Sequence, residues 1–254
     1  MKIISIVNNK GGVGKTTSSQ NIGAALAKFA KGRVLFLDLD SQASLTRCFG
    51  ITEAEVGRNH VGAFMTNELS LEMVVKKVGP GDLMPSSADL NAKEDTLKQS
   101  PVFPFNLKIS IEKLRGLYDY VIIDCPPTLS SFTRMALIAC DYYVVPLQAE
   151  FLSYEGLRNF LVYSNEIRQI SPNTLLGGVF ATRYNPNIKK KLSNDIIEAT
   201  KEQLKDKFFK TYIRDNVSLS EAQARGLDVF EYSPDSNGAV DYYNLTKEIL
   251  NIIK

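Results

Sequence analysis

Short runs of continuous apolar residues alternate with stretches of helical periodicity along this chain. That is the pattern of a mainly parallel sheet covered by helices on both faces. The strand-like runs are Ile3 to Val7, Val34 to Leu37, Tyr120 to Ile123, Tyr142 to Val145 and Leu175 to Ala181. Between the first two, Ile22, Ala25, Leu26, Phe29 and Ala30 fall on one helical face that ends near Gly32, which makes a βαβ unit. The segment from Gly79 to Pro104, rich in Pro, Gly, Ser and charge, reads as a short strand around Leu83 and Met84 followed by a surface helix and loop, not as a domain boundary. A helix from Ile188 to Phe208 is expected to bury Ile188, Leu192, Ile196, Leu204 and Phe208. A last helix from Val240 to Ile253 is expected to pack back through Val240, Tyr243, Leu245, Ile249, Leu250 and Ile253. The expected fold is α/β, one domain over residues 1–254 with a mainly parallel twisted sheet flanked by helices.

Composition removes several functions. A length of 254 residues and 44% apolar content suit one hydrophobic core. Thirty basic residues against 28 acidic ones leave a net charge of +2, so any DNA site must be a local patch. Cys48, Cys125 and Cys140 lie far apart without a CxxC or Cys/His cluster, which argues against zinc, a disulfide framework or a Cys-held iron-sulfur cluster. His60 has no metal-ligand or triad partner nearby. Met1-Lys2 runs directly into a strand-like segment, and no apolar run is long enough to span a bilayer, so the expected location is cytoplasmic.

The chemistry starts at KGGVGKTT, Lys10 to Thr17, which follows the first strand and opens the first helix. In that setting successive backbone N–H groups and a helix N-terminus cradle phosphate oxygens. Gly11, Gly12, Val13 and Gly14 form the cradle, Lys15 should reach the β- and γ-phosphates, Thr16 should ligate Mg²⁺ and Thr17 should cap the α-phosphate. The strict pattern would place glycine at position 9, where Asn9 stands as a residue tolerant of left-handed backbone. The second strand ends in DLD, which puts Asp38 and Asp40 at the carboxyl edge of the sheet, where ligands of doubly wound proteins bind. Asp124 ends the run YDYVIID and has the form of an aspartate that holds a metal's water shell. No Asn-Lys-x-Asp motif for guanine occurs late in the chain, so adenine is the favoured base.

These residues resemble the ParA/MinD group of P-loop ATPases with a deviant Walker loop, and within it the short, Soj-like ParA partitioning proteins. Beyond the loop, the resemblance is carried by DLDSQAS, YDYVIIDCPP, VVPLQAEFLSYEGL, IRDNVSLSEAQARG and SNGAVDYYNLTKEIL. It implies an ATP-bridged homodimer in which Lys10 reaches the partner's phosphates, with Lys15 and Asp40 completing the catalytic set. It further implies Mg²⁺ served by Thr16, Asp40 and Asp124, and adenine contacted by Asn216. Implied partners are non-specific double-stranded DNA and a ParB-type centromere-binding protein, with a nucleoid-associated location and no membrane. The DNA candidates are Lys189, Lys190, Lys191, Lys205, Lys207, Lys210, Arg214 and Arg225. The family's DLDPQ and IPRN segments here read DLDSQ and IRDN, so Ser41 replaces a stiffening proline and Asp215 replaces an arginine often assigned to DNA. The chain begins at its first strand, where longer ParA proteins carry a helix-turn-helix domain, and none is expected. The alternatives are a MinD-like membrane switch, which needs a lysine-rich C-terminal amphipathic helix, and a ParA-like positioner of another cargo.

Overall fold

The computed structural model describes residues 1–187 and 191–253. Among them the strands are β1 (Lys2–Ile6), β2 (Val34–Asp38), β3 (Lys76–Val78), β4 (Gly81–Met84), β5 (Tyr120–Asp124), β6 (Tyr142–Gln148) and β7 (Leu175–Thr182). They form one sheet in the order β3-β4-β2-β5-β1-β6-β7. All neighbours are parallel except β3, which pairs antiparallel with β4 at the edge. The expected parallel α/β sheet is therefore present, with one short edge strand that the sequence pattern did not reveal.

The strands are apolar on both faces because both are covered. Period-two alternation sends Ile3, Leu35, Val121, Ile123 and Val145 into one core and Ile4, Ile6, Phe36, Ile122 and Val144 into the other. Helix Lys15–Phe29 fills the second core with Ile22, Ala25 and Leu26, while Phe29 lies at its rim against Phe230 and Tyr243. Helix Phe151–Ile170 fills the first core with Leu157, Phe160 and Ile167.

Two expected helix faces are corrected. The last helix runs Asn237–Ile252 and buries Ala239, Tyr242, Leu245 and Ile249, whereas Val240 and Tyr243 face outward. Aromatic residues at both 242 and 243 let the 3.6-residue period be satisfied in either phase, and contact with Ser18 selects Tyr242. The basic helix runs Lys191–Leu204 and buries Ile196, Ile197 and Thr200, with Leu192 62% exposed. The chain then tightens into a 3₁₀ turn, Lys205–Lys207, before Phe208 enters the core. Ile188 lies outside the described residues.

The sheet order explains where a site can form. Strand β1 leads through its helix to β2, two places away, and the chain later turns the other way from β1 to β6 and β7. Loops at the carboxyl ends of β1, β2 and β5 therefore diverge around one crevice. Register brings Asp38, Ile6 and Asp124 to the same level at that edge.

Candidate nucleotide site

The loop after β1 is shaped by Gly12 and Gly14, whose φ values of 74° and 90° lie in the left-handed region. Asn9 is not among the left-handed residues, which corrects that expectation. Its side chain instead sits against helix Phe151–Ile170 where Gly156 leaves room, since a Cβ there would come within 3.0 Å of Asn9 Oδ1. Neighbouring side chains pin the loop. Asn8 Nδ2 donates to the Pro146 carbonyl at 2.7 Å, Gln148 Nε2 to Gly12 O at 3.3 Å and Thr182 Oγ1 to Val13 O at 2.9 Å. A Cβ built on Gly11 or Gly12 would meet no described atom within 4 Å, so the hollow of the loop is open space bounded by backbone.

Lys15 opens the helix, is almost fully buried, and donates from Nζ to Lys10 O at 2.9 Å. Burial pushes its ammonium down from the ordinary lysine value, and the Asp124 carboxylate opposes that shift. Thr16 Oγ1 and Ser19 Oγ donate to the two oxygens of Asp124 at 2.8 and 2.9 Å. Asp38, at the end of β2, accepts from the Thr46 amide and hydroxyl and from the Asp40 amide, which ties the segment after β2 to the sheet. Asp40 itself is half-buried, its Oδ1 accepts from the Gln42 amide, and its carbonyl accepts from Ala43 N at 2.7 Å. The turn is thus closed without proline at position 41.

Asp38 and Asp124 are both fully buried. Burial raises Asp38 to about 6 and, together with the neighbouring Asp38 charge, raises Asp124 to about 7. Among the described residues no group of three or more His, Cys, Asp or Glu converges on one point. A divalent cation would therefore rest on Thr16 and Asp124 and take its other ligands from phosphate and water, as Mg²⁺ commonly does. A crowded acid pair with hydroxyls at hydrogen-bond distance suits such an ion.

The charge on Asp124 has a measurable cost without metal. Folded Asp124 keeps its proton up to about pH 7, whereas an unfolded aspartate releases it near 3.8. The unfolded state then binds fewer protons between those values, so this group's contribution to stability falls as pH rises across the window. Asp124→Asn is expected to melt roughly 5 °C above wild type at pH 8 in EDTA, the gap closing toward pH 4. Thermal melts across that range check it, and a gap independent of pH would contradict the assignment.

Beside the loop lies a cavity of about 370 Å³ walled by Val13, Thr17, Asn216, Gln223 and Tyr242, a size that suits a small-molecule site. Thr17 Oγ1 accepts from Gln223 Nε2 at 3.2 Å, and Asn216 caps the next helix through Oδ1, which leaves its Nδ2 as the donor for a ligand. Arg214 also lines this cavity, yet its guanidinium is bound by both oxygens of Asp241. It is a wall of the cavity with its charge paired to Asp241. Of the other DNA candidates, Lys191, Lys205 and Lys210 are exposed, Lys207 is half-buried and Arg225 stacks over Tyr232. Lys189 and Lys190 lie outside the described residues.

Lys10 holds the least expected position. Its Nζ donates to Glu150 Oε2 at 2.6 Å and to Ser153 Oγ at 2.9 Å, at the start of helix Phe151–Ile170. No role follows from the sequence for Glu150, Ser153, Thr182, Gln223 or Ser19, which the fold brings to the site. Only Ser19 carried a local signal, being three residues beyond Thr16 on the same helix face.

The comparisons agree with this geometry. The sequence family described as an AAA domain matches residues 1–176. The chain is 37% identical to the sporulation initiation inhibitor protein Soj of Bacillus subtilis, covering 98% of each. It is 33% identical to the chromosome partitioning protein ParA of Caulobacter vibrioides over 99% of this chain and 94% of that protein. Among solved structures it superimposes on cobyrinic acid a,c-diamide synthase from Mycobacterium smegmatis with bound ATP analogue and magnesium. The TM-score is 0.82 and the identity 28%, over 99% of this chain and 94% of that one.

Proposed function

This chain belongs to the ParA/MinD family of P-loop ATPases, and on that premise we propose that it is a partitioning ATPase that pairs on ATP, holds DNA without reading its sequence and lets go on hydrolysis. As an ATPase of this family it uses ATP with Mg²⁺. Mg²⁺ held at Thr16 and Asp124 would supply charge neutralisation for the phosphates. The remaining roles belong to the chain's own side chains. The loop amides and Lys15 bind and orient the triphosphate, and Thr16 and Asp124 hold the metal's ligand shell. Asp40 takes up the proton of the attacking water at its carboxylate.

The observation that carries the reading is Lys10. A loop cation meant for its own phosphates would point into the loop, but Lys10 is anchored outside it by Glu150 and Ser153. The ion pair is partly solvated, with side-chain exposures of 29% and 62%. Such a pair is worth about 1 kcal/mol or less, so little opposes its release toward a second copy. In trans, Lys10 would neutralise charge developing on the partner's transferring phosphoryl group as an arginine finger does.

DNA attachment is supported by the exposed Lys191, Lys205 and Lys210 and by the names of the full-length relatives. A ParB-type protein as the stimulating partner, and a cytoplasmic, nucleoid-associated location, follow from the same kinship. No helix among the described residues is long and apolar enough to cross a membrane. Non-specific attachment needs phosphate contacts rather than base contacts. DNA retention should therefore require ATP and fail with ADP or without nucleotide. Reversing the charge of Lys191, Lys205 and Lys210 together should lower the salt slope of binding by about 3. An unchanged slope removes these residues from the interface, and ATP-dependent capture by liposomes without DNA binding would favour a MinD-like switch instead.

A further inference from the structure

The cavity beside the phosphate loop has two arginines in its wall, and they are held very differently. Arg214 is fixed to Asp241 by contacts of 2.6 to 3.2 Å. Among the described residues Arg183 pairs with Asp215, with Nε 3.7 Å from Oδ1, and the two side chains are 65% and 82% exposed. An exposed pair at that distance contributes almost nothing to stability. Arg183 and Asp215 both line the cavity beside the loop and also a second cavity of about 360 Å³ next to it, so the pair stands on the ridge between them.

The backbone under Arg183 is unusual as well. Its φ of 49° is left-handed, an uncommon state for a residue that is not glycine or asparagine. The neighbours make this conformation unavoidable. Thr182 is bonded to the phosphate loop through Val13 O and forms a β-bridge with Ile213, while Tyr184 N donates to Ile213 O at 3.2 Å. Residue 183 is the bulge between two fixed points. Its strain is kept by structure that contacts the phosphate loop on one side and the segment at Ile213 on the other.

We propose that Arg183 is a nucleobase-binding residue of this site, its guanidinium leaving the loose pair with Asp215 to lie on the adenine face. A guanidinium is planar and weakly hydrated, and it stacks on aromatic rings where an ammonium would stay in water. Val13, Thr17, Asn216 and Arg183 line one cavity, so a nucleotide seated on the loop would have its base within reach of Arg183. The inference rests on the reading of this cavity as the nucleoside end of the ATP site.

The test compares wild type, Arg183→Ala and Arg183→Gly, measuring by calorimetry the affinity for Mg²⁺-ATP and for inorganic tripolyphosphate, which has no base. Both variants should bind ATP about tenfold more weakly. Tripolyphosphate affinity should stay unchanged, and turnover at saturating ATP should stay within about twofold of wild type. Arg183→Gly, relieved of left-handed strain, should melt no lower than wild type. ATP affinity like that of wild type in either variant overturns the proposal. So does parallel weakening toward ATP and tripolyphosphate, which would assign Arg183 to the phosphates or to the fold. A wild-type chain that holds tripolyphosphate but not ATP contradicts the ATP reading itself, a different failure.

Discussion

Alanine in place of Lys10 should lower ATP turnover about 10³-fold while leaving ATP affinity within a few-fold of wild type. The asymmetry follows from where the two loop lysines sit. Lys15 is buried and bonded into the loop, the position from which it would serve ground-state binding of the phosphates. Lys10 is anchored on Glu150 and Ser153, outside its own loop. On the proposed reading it would contribute when charge develops in the transition state and a second copy is present. Truncation removes one partly exposed ion pair, so the melting point should scarcely change. Steady-state turnover alongside ATP calorimetry separates the two effects. A variant that turns over within threefold of wild type would remove Lys10 from catalysis.

Asp40→Ala should slow hydrolysis by about 10² to 10⁴, the usual contribution of a positioned general base. It should also accumulate the ATP-bound pair on DNA, because binding and pairing precede the step it blocks. The structure makes this substitution clean. Among the described residues the Asp40 carboxylate accepts a hydrogen bond from the Gln42 amide. The brace of the same segment is Asp38, with its three hydrogen bonds from Thr46 and the Asp40 amide. Asp40→Ala keeps its amide, so the brace survives. Size-exclusion chromatography with light scattering in ATP, and retention on DNA through washes, measure the trapped state. Monomeric protein in ATP, or hydrolysis at the wild-type rate, would contradict the role given to Asp40.

How much of this was readable beforehand depended on range. The glycine spacing of the loop after the first strand, the acids Asp40 and Asp124 at the carboxyl edge and six of the seven described strands were legible because each is a local pattern. The edge strand Lys76–Val78 and the short helices Glu53–Val56 and Val61–Met65 were not. Segments of three to five residues are too short to display a period, and tertiary packing decides them. Side-chain partnerships across the fold were equally hidden. Glu150 lies 140 positions from Lys10, and Gln223 lies 206 from Thr17. The left-handed Arg183 had no sequence signal at all, since its conformation is imposed by Thr182 and Tyr184 on either side. Leu192 failed for a different reason: a helical stripe drawn through it fits the period, but the buried face turns on Ile196, Ile197 and Thr200. Functional chemistry was thus visible where it is written in contiguous residues and invisible where folding assembles it.

Mixing two inactive variants tests most directly whether Lys10 acts on the other subunit's nucleotide. Lys10→Ala keeps a complete site but cannot supply a lysine, whereas Asp40→Ala supplies the lysine but cannot use it. Each should be nearly inactive alone. In an equal mixture with ATP, random pairing makes half the dimers mixed, and each mixed dimer has one working site, so turnover should recover to about a quarter of wild type. If Lys10 acts within its own chain, the mixture stays as inactive as its components.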